Sequence, residues 1–121
     1  MRLLCADDEV DIRTILALAL GLDPALVVDI VASGQEALDR LKNNQYDAVV
    51  LDGMMPGLDG YETCRLMKAD PATAHVPVVF LTAKTQRDEV ARALALGATA
   101  CLTKPFDPLT LAGELRAALG H

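Results

Sequence analysis

Short apolar runs alternate with longer segments of helical periodicity along the whole chain, and this alternation constrains the fold more than any other feature. The apolar runs are rich in Val, Leu and Ile, and five of them are predicted to be strands, at residues 2–6, 26–32, 47–52, 76–81 and 99–103. Helices are predicted between and after them, near residues 10–21, 34–43, 60–68, 86–96 and 107–119. Strands that are apolar throughout are typical of a parallel sheet covered on both faces, so the pattern predicts an α/β fold.

Five strands and five helices in strict alternation favour one topology. It is the doubly wound, flavodoxin-like (βα)5 architecture, with a five-stranded parallel sheet in the order 2-1-3-4-5. Local signals support the helices. Ser33, with Glu36 three residues later, forms a capping box at the start of the second helix. Leu111, Leu115 and Ala118 lie at helical spacing and give the last helix one apolar face.

Length and composition limit the class of protein. The chain has the length of one domain, spanning residues 1–121, and no repeat or linker divides it. The formal net charge of −6, with scattered Lys and Arg, argues against direct nucleic-acid binding. No apolar run reaches the roughly 20 residues of a membrane span, and the first residues do not resemble a secretory signal, so a cytoplasmic location is expected. The three widely spaced cysteines are expected to be free thiols: Cys5, Cys64 and Cys101.

Polar side chains stand at the carboxyl ends of four predicted strands. The first strand runs into Asp7 and Asp8, the third into Asp52, the fourth into Thr82 and the fifth into Lys104. In an open parallel sheet these ends meet at one edge, and ligands bind there, where the strand order reverses. Each residue alone has an ordinary explanation as a turn, cap or surface residue. Their joint placement predicts a functional site.

The chemistry of this set indicates phosphoryl transfer. Two carboxylates about 4 Å apart repel each other by roughly 4 kcal/mol at an effective dielectric constant near 20. Three of them this close need a cation or shifted pKa values. Hard oxygen ligands with room for water and a phosphate oxygen suit Mg²⁺. Together with Lys104 and the Thr82 hydroxyl, the cation would surround a phosphoryl group. Asp52 would be the nucleophile and form an acyl phosphate.

At these residues the sequence resembles the receiver domain of two-component response regulators, the CheY-like family, over essentially its whole length. The motifs that carry the resemblance are DDE at 7–9, LDGMMPGLDG at 51–60, LTA at 81–83 and KPF at 104–106. The resemblance implies that Asp52 accepts a phosphoryl group from a sensor histidine kinase or histidine phosphotransfer protein. It implies that Thr82 and Lys104 contact the phosphoryl oxygens and that the Lys104–Pro105 bond is cis. The implied Mg²⁺ ligands are Asp7, Asp8, Asp52 and the backbone carbonyl of Met54.

Several positions vary the family pattern. Cys101 stands where the fifth strand usually carries an aromatic residue that swings inward as Thr82 moves toward the phosphate. Gly53 follows the acceptor where a bulky aliphatic residue is more usual, and its permissive backbone is expected to loosen that loop. Met54 and Lys84 flank the expected approach of water and should tune the lifetime of the phosphoryl group.

The resemblance also implies an output surface. Movement of Thr82 should displace the loop after the fourth strand and the helix near 86–96, with little rotamer change in the fifth strand because Cys101 is small. The face formed by that helix, the fifth strand and the last helix would be the surface for a downstream partner or a homodimer, with Leu109 as an apolar contact. The cognate kinase, the output and whether the chain stands alone or belongs to a longer regulator or hybrid kinase are not encoded in these residues.

Two other functions remain open at this point. A docking module that works without phosphorylation would be mildly favoured by Cys101, although the intact site argues against it. A Mg²⁺-dependent aspartyl phosphohydrolase would use similar acids, but its nucleophile lies on the first strand in a DxD pattern, which residues 6–10 lack. The chain is therefore expected to catalyse only its own phosphorylation and dephosphorylation, and not to be an enzyme in the ordinary sense.

Overall fold

The computed structural model describes residues 1–83 and 87–120 and contains one five-stranded parallel sheet. The strands are β1 (Arg2–Ala6), β2 (Val27–Val31), β3 (Ala48–Asp52), β4 (Val78–Ala83) and β5 (Ala100–Lys104). The helices are α1 (Val10–Gly21), α2 (Gly34–Asn43), α3 (Gly60–Ala69), α4 (Arg87–Ala95) and α5 (Leu111–Leu119). The strand order is β2-β1-β3-β4-β5, which confirms the predicted flavodoxin-like topology.

The apolar core lies on both faces of the sheet. On one face, side chains of β1, β3 and β4 pack against buried residues of α1 and α5, including Leu16, Leu20, Leu111 and Leu115. On the other face, the core includes buried residues of α2, α3 and α4. The central strands β1 and β3 are almost wholly buried, whereas the edge strand β2 is partly exposed because it has one neighbouring strand.

Two predicted elements begin two or more residues later than expected. The fourth strand was expected over 76–81, but β4 runs from Val78 to Ala83, because Pro77 has no N–H to donate to the sheet. The last helix was expected over 107–119, but α5 begins at Leu111. Asp107 forms a turn before it: its carboxylate accepts from the Leu109 N–H at 2.9 Å and its carbonyl from the Thr110 N–H at 3.1 Å.

Local capping signals behave largely as predicted. The Ser33 hydroxyl accepts a hydrogen bond from the Glu36 N–H at 3.1 Å, which caps α2. The Glu36 carboxylate accepts from the Ala32 N–H at 2.6 Å, one residue before its usual partner in a capping box. These reciprocal bonds fix the chain direction where it leaves β2.

The cysteines and the Lys104–Pro105 bond are as the sequence predicts. Cys5 and Cys64 are buried and Cys101 is partly buried, and all three are free thiols as predicted. The Lys104–Pro105 peptide bond is cis, as predicted. Within the described residues, no helix is both long and apolar enough to cross a membrane. Lys84 and the rest of the segment 84–86, part of the expected path of the conformational change, lie outside the described residues.

Candidate functional site

The structure brings together the three carboxylates that the sequence predicted at one edge of the sheet. Asp7 and Asp8 follow β1, and Asp52 is the last residue of the neighbouring strand β3. One oxygen of each carboxylate lies within 4.8 Å of the others. Asp7 and Asp52 are buried and Asp8 is partly buried. We call these three residues the acidic cluster.

Lys104 connects two members of the acidic cluster. Its Nζ lies 2.8 Å from Asp7 Oδ2 and 3.3 Å from Asp52 Oδ2. Burial lowers the pKa of Lys104, but the hydrogen bond to Asp7 and the charges of Asp52 and Asp7 outweigh it, so its pKa lies above the ordinary value. Lys104 is therefore a permanent cation at physiological pH. One ammonium still leaves three carboxylates undercompensated.

Asp52 is a buried acid whose two carboxylate oxygens make different contacts. Its Oδ1 accepts a hydrogen bond from the Met54 N–H at 3.1 Å. Burial raises the pKa of Asp52 above its ordinary value, because it outweighs the charge of Lys104 and the Met54 hydrogen bond. The other oxygen faces Lys104. Any further cation at this carboxylate would favour its charged form.

Two polar atoms of the predicted site are buried without a hydrogen-bond partner. Across residues 1–83 and 87–120, Asp8 Oδ1 and Thr82 Oγ1 form no hydrogen bond in the structure. Buried polar atoms in native proteins are nearly always paired, so such orphans call for a missing ligand, ion or water. Asp8 Oδ1 offers a free oxygen to a hard cation, and Thr82 offers a hydroxyl donor to an anionic oxygen. The donor set therefore fits Mg²⁺ together with a phosphoryl group.

The backbone after Asp52 is shaped by a close contact with the start of α3. The Gly60 N–H donates to the Gly53 carbonyl at 3.3 Å. A Cβ atom on Gly60 would lie only 2.2 Å from the Asp52 carbonyl oxygen, so only glycine permits this approach. Asp59 caps α3 by accepting from the Glu62 N–H at 2.8 Å. The helix thus begins directly against the acceptor strand.

Sequence reasoning did not identify two residues that border this site. The Arg13 guanidinium donates to the Asp7 backbone carbonyl at 2.9 Å and fixes the turn that carries the acids. Tyr61, the second residue of α3, is buried, and its hydroxyl would lie 2.8 Å from a Cβ on Gly53. The chain has only two Tyr, two Phe and no Trp, but no local pattern in the sequence marks Tyr61 as a neighbour of the acceptor.

A comparison with protein families identifies the family of this fold. The model described as the response regulator receiver domain matches residues 3–116. This chain belongs to that family. Receiver domains are signalling modules of two-component systems rather than classical enzymes, and phosphorylation and Mg²⁺ binding are typical of them. The resemblance read from the four motifs is confirmed.

Individual relatives support the same assignment. The chain is 37% identical over 121 residues to the DNA-binding response regulator MtrA of Mycobacterium tuberculosis, covering 98% of this chain and 50% of that protein. It is 35% identical over 117 residues to the phosphate regulon transcriptional regulatory protein PhoB of Pseudomonas aeruginosa, covering 97% and 51%. The chemotaxis response regulator CheY4 of Vibrio cholerae superposes with a TM-score of 0.87 at 30% identity, covering 97% of both chains. The chain spans about half the length of these two curated relatives.

Proposed function

We propose that this receiver domain is a phosphorylation switch in which Asp52 accepts the phosphoryl group. A sensor histidine kinase or a histidine phosphotransfer protein is the proposed donor. The observation that carries the proposal is the combination at one sheet edge of three carboxylates within 4.8 Å and a lysine between two of them. The unpartnered oxygens of Asp8 and Thr82 complete the set. Three carboxylates and one ammonium leave excess negative charge, which an added divalent cation would offset before an anionic phosphoryl group enters.

Mg²⁺ is the proposed cofactor, held by Asp7, Asp8, Asp52 and the backbone carbonyl of Met54. When bound, it would offset the charge of the carboxylates and of the incoming phosphoryl oxygens. The residues themselves then carry the reaction. A carboxylate oxygen of Asp52 attacks phosphorus, an O–P bond forms, and the bond from phosphorus to the donor nitrogen or oxygen breaks with its electron pair leaving on the donor.

Lys104 and Thr82 would stabilise the product. Lys104 already lies 3.3 Å from Asp52 and can turn its ammonium to a phosphoryl oxygen. Thr82 is buried on the adjacent strand with no competing hydrogen bond among the described residues. Contacts to a charged oxygen at roughly 1.5–3 kcal/mol each would supply, from two or three bonds, the roughly 5.5 kcal/mol that reverses a 1:99 equilibrium.

The proposed output surface is the face of α4, β5 and α5. The shift of Thr82 would displace the start of α4, which follows β4 along the chain. Leu94 on α4 and Leu109 before α5 are 49% and 81% exposed, respectively, and offer apolar contacts to a downstream protein, an output domain or a second copy of the chain. MtrA is named as a DNA-binding response regulator and PhoB as a transcriptional regulatory protein. Control of a DNA-binding output domain is therefore one form that the proposed output would take.

Labelling with radioactive acetyl phosphate tests the proposed function. The wild-type chain should acquire label with Mg²⁺ and acquire none when the metal is chelated before the donor is added, because the acidic cluster then repels the donor. Asp52→Asn should abolish the label, and Asp29→Asn, which removes a carboxylate away from the acidic cluster, should retain it. Wild-type labelling of Asp52→Asn would contradict the acceptor assignment. A chain that never takes label would favour a docking module that works without phosphorylation.

A further inference from the structure

Tyr61 occupies an unusual position beside the acceptor strand. Its side chain is 1% exposed and its ring stacks on Phe80 of β4, with 5.1 Å between ring centroids and 17° between the planes. Among the residues that the structure describes, its buried hydroxyl has no hydrogen-bond partner. A Tyr hydroxyl without a partner costs free energy that Phe would avoid, so packing alone does not explain the residue.

The sequence makes room for this ring on two sides. A Cβ atom on Gly53, the residue after the acceptor, would lie 2.8 Å from the Tyr61 hydroxyl. Gly53 does not have a positive φ, so its lack of a side chain matters here more than its conformational freedom. Cys101 is the β5 partner of Phe80 in the sheet register and packs against the same part of the core. A small residue at each position leaves the space to Tyr61.

Tyr61 also contacts helix α4 through its charged residues. The Arg92 guanidinium lies over the ring, 4.3 Å from its centroid. Burial, followed by the charge of the nearby Glu89 carboxylate and a weak polar interaction of the hydroxyl with it that falls short of hydrogen-bond geometry, raises the pKa of Tyr61 to about 12, so the hydroxyl remains a neutral donor at physiological pH. Glu89 and Arg92 are three residues apart on α4 and therefore share one side of it. A displacement of the ring changes contacts with both residues.

We propose that Tyr61 is the positioning residue that transmits phosphorylation of Asp52 to α4. The inference rests on the proposed function. Phe80 and Thr82 are two residues apart on β4, so their side chains point to the same face of the sheet. Tyr61 stacks on Phe80 on that face. When Thr82 moves toward the phosphoryl group, it vacates space next to this stack. The ring then shifts toward β4, its hydroxyl gains a partner, and Arg92 follows the ring and moves α4.

This role differs from that of an aromatic on β5, since the moving ring belongs to α3 and starts against the acceptor loop. It accounts for two variations of the family pattern, the small Cys101 and the small Gly53, together with a buried tyrosine hydroxyl that lacks a hydrogen-bond partner among the described residues. It also predicts that the hydroxyl of Tyr61 and the cation of Arg92 matter for the response and not for acceptor chemistry.

Backbone amide chemical shifts with and without beryllofluoride and Mg²⁺ test the proposal. Fluorine NMR first establishes that beryllofluoride occupies Asp52, and amide shifts of residues 53–55 report its local effect. In the wild type, amides of 87–95 should shift. Tyr61→Phe and Arg92→Gln should reduce the mean α4 shift change at least twofold, with occupancy and the 53–55 shifts retained. Both variants should fold with an intact core, because Tyr61→Phe removes only a hydroxyl and Arg92 is exposed.

Arg2→Gln is the matched control. Arg2 lies over the Tyr46 ring at 5.0 Å, in an equivalent cation–π pair at the other end of the fold, and its loss should leave the α4 response at the wild-type level. Wild-type α4 shifts in Tyr61→Phe and Arg92→Gln, at full occupancy, would overturn the role of Tyr61 and leave the proposed function standing. An equal reduction in Arg2→Gln would also overturn it. Failure of wild-type Asp52 to bind beryllofluoride would instead contradict the proposed function.

Discussion

Two Tyr–Arg pairs in this molecule resemble each other in composition and differ in how their polar atoms are satisfied. Tyr46 lies under Arg2, and its hydroxyl donates to the Asp29 carboxylate at 2.6 Å. Asp29 also pairs with Arg2 at 3.4 Å and with Arg40 at 3.9 Å. Tyr61 lies under Arg92, and its hydroxyl has no hydrogen-bond partner among the described residues. We call the first set the Asp29 network.

The carboxylates of the two regions show the same contrast. The Tyr46 hydrogen bond lowers the pKa of Asp29 below its ordinary value. Burial opposes this shift, and the charges of Arg2 and Arg40 support it. The pKa of Asp52 is raised by burial, against the charge of Lys104. In the Asp29 network the polar atoms of Asp29 and Tyr46 have partners, which stabilises the fold. Asp8 in the acidic cluster and Tyr61 each have a buried polar atom without a hydrogen-bond partner among the described residues, as the proposed change on phosphorylation requires. The predictions below test this division.

The largest expected effect is on metal affinity. Asp8→Ala should weaken Mg²⁺ binding by a factor of about 10 to 100, since one ligand oxygen is lost. Asp29→Ala removes a carboxylate that already has three partners and should leave the affinity unchanged. Isothermal titration calorimetry of the two variants and the wild type measures the difference. Equal losses in both variants would show that net charge, and not the geometry of the acidic cluster, controls binding.

The next effect is on stability. Tyr46→Phe should lower the free energy of unfolding by about 1.5 kcal/mol, because it removes a hydrogen bond to a charged acceptor. Tyr61→Phe removes a hydroxyl without a partner and should change stability by less than about 0.5 kcal/mol or increase it. Urea unfolding followed by circular dichroism gives both values. A large loss in Tyr61→Phe would mean that its hydroxyl is already satisfied in the resting state.

A smaller effect is expected when Lys104 is removed. Lys104→Ala takes a cation away from the acidic cluster, so Mg²⁺ affinity should stay constant or rise by a factor of about two to five. The same variant should lose much of the α4 response to beryllofluoride, since a phosphoryl contact is missing. Calorimetry and amide shifts on one sample separate the two roles. A metal affinity as low as that of Asp8→Ala would contradict them.

The smallest effect concerns pH. Because the folded pKa of Asp29 lies below its unfolded value, its stabilisation is present above the unfolded value and is lost as the pH falls through the folded pKa. The stability difference between the wild type and Tyr46→Phe should therefore be full near pH 6 and shrink as the pH falls below about 4. The difference for Tyr61→Phe should stay constant over this range. Urea unfolding at several pH values distinguishes the two profiles.

The sequence by itself determined the architecture and the composition of the candidate site. Its strands are continuous apolar runs and its helices have apolar residues at helical spacing. Both patterns are local and can be recognised in the sequence without knowing which residues are in contact. Parallel strands place their carboxyl ends at one edge, so Asp7, Asp8, Asp52, Thr82 and Lys104 had to approach one another once the strand order was fixed. Their proximity follows from topology, and their chemical roles remain our proposal.

The tertiary structure alone decided which residues surround that site and how they are satisfied. Tyr61 meets Phe80 and Arg92 across 19 and 31 positions of the chain, and the sequence carries no local pattern for such contacts. The need for a small residue at Gly53 is visible only when the Tyr61 ring is in place. Whether a buried hydroxyl has a hydrogen-bond partner likewise depends on which side chains pack around it. Local patterns specify elements and their ends, whereas the pairing of distant side chains depends on how those elements pack.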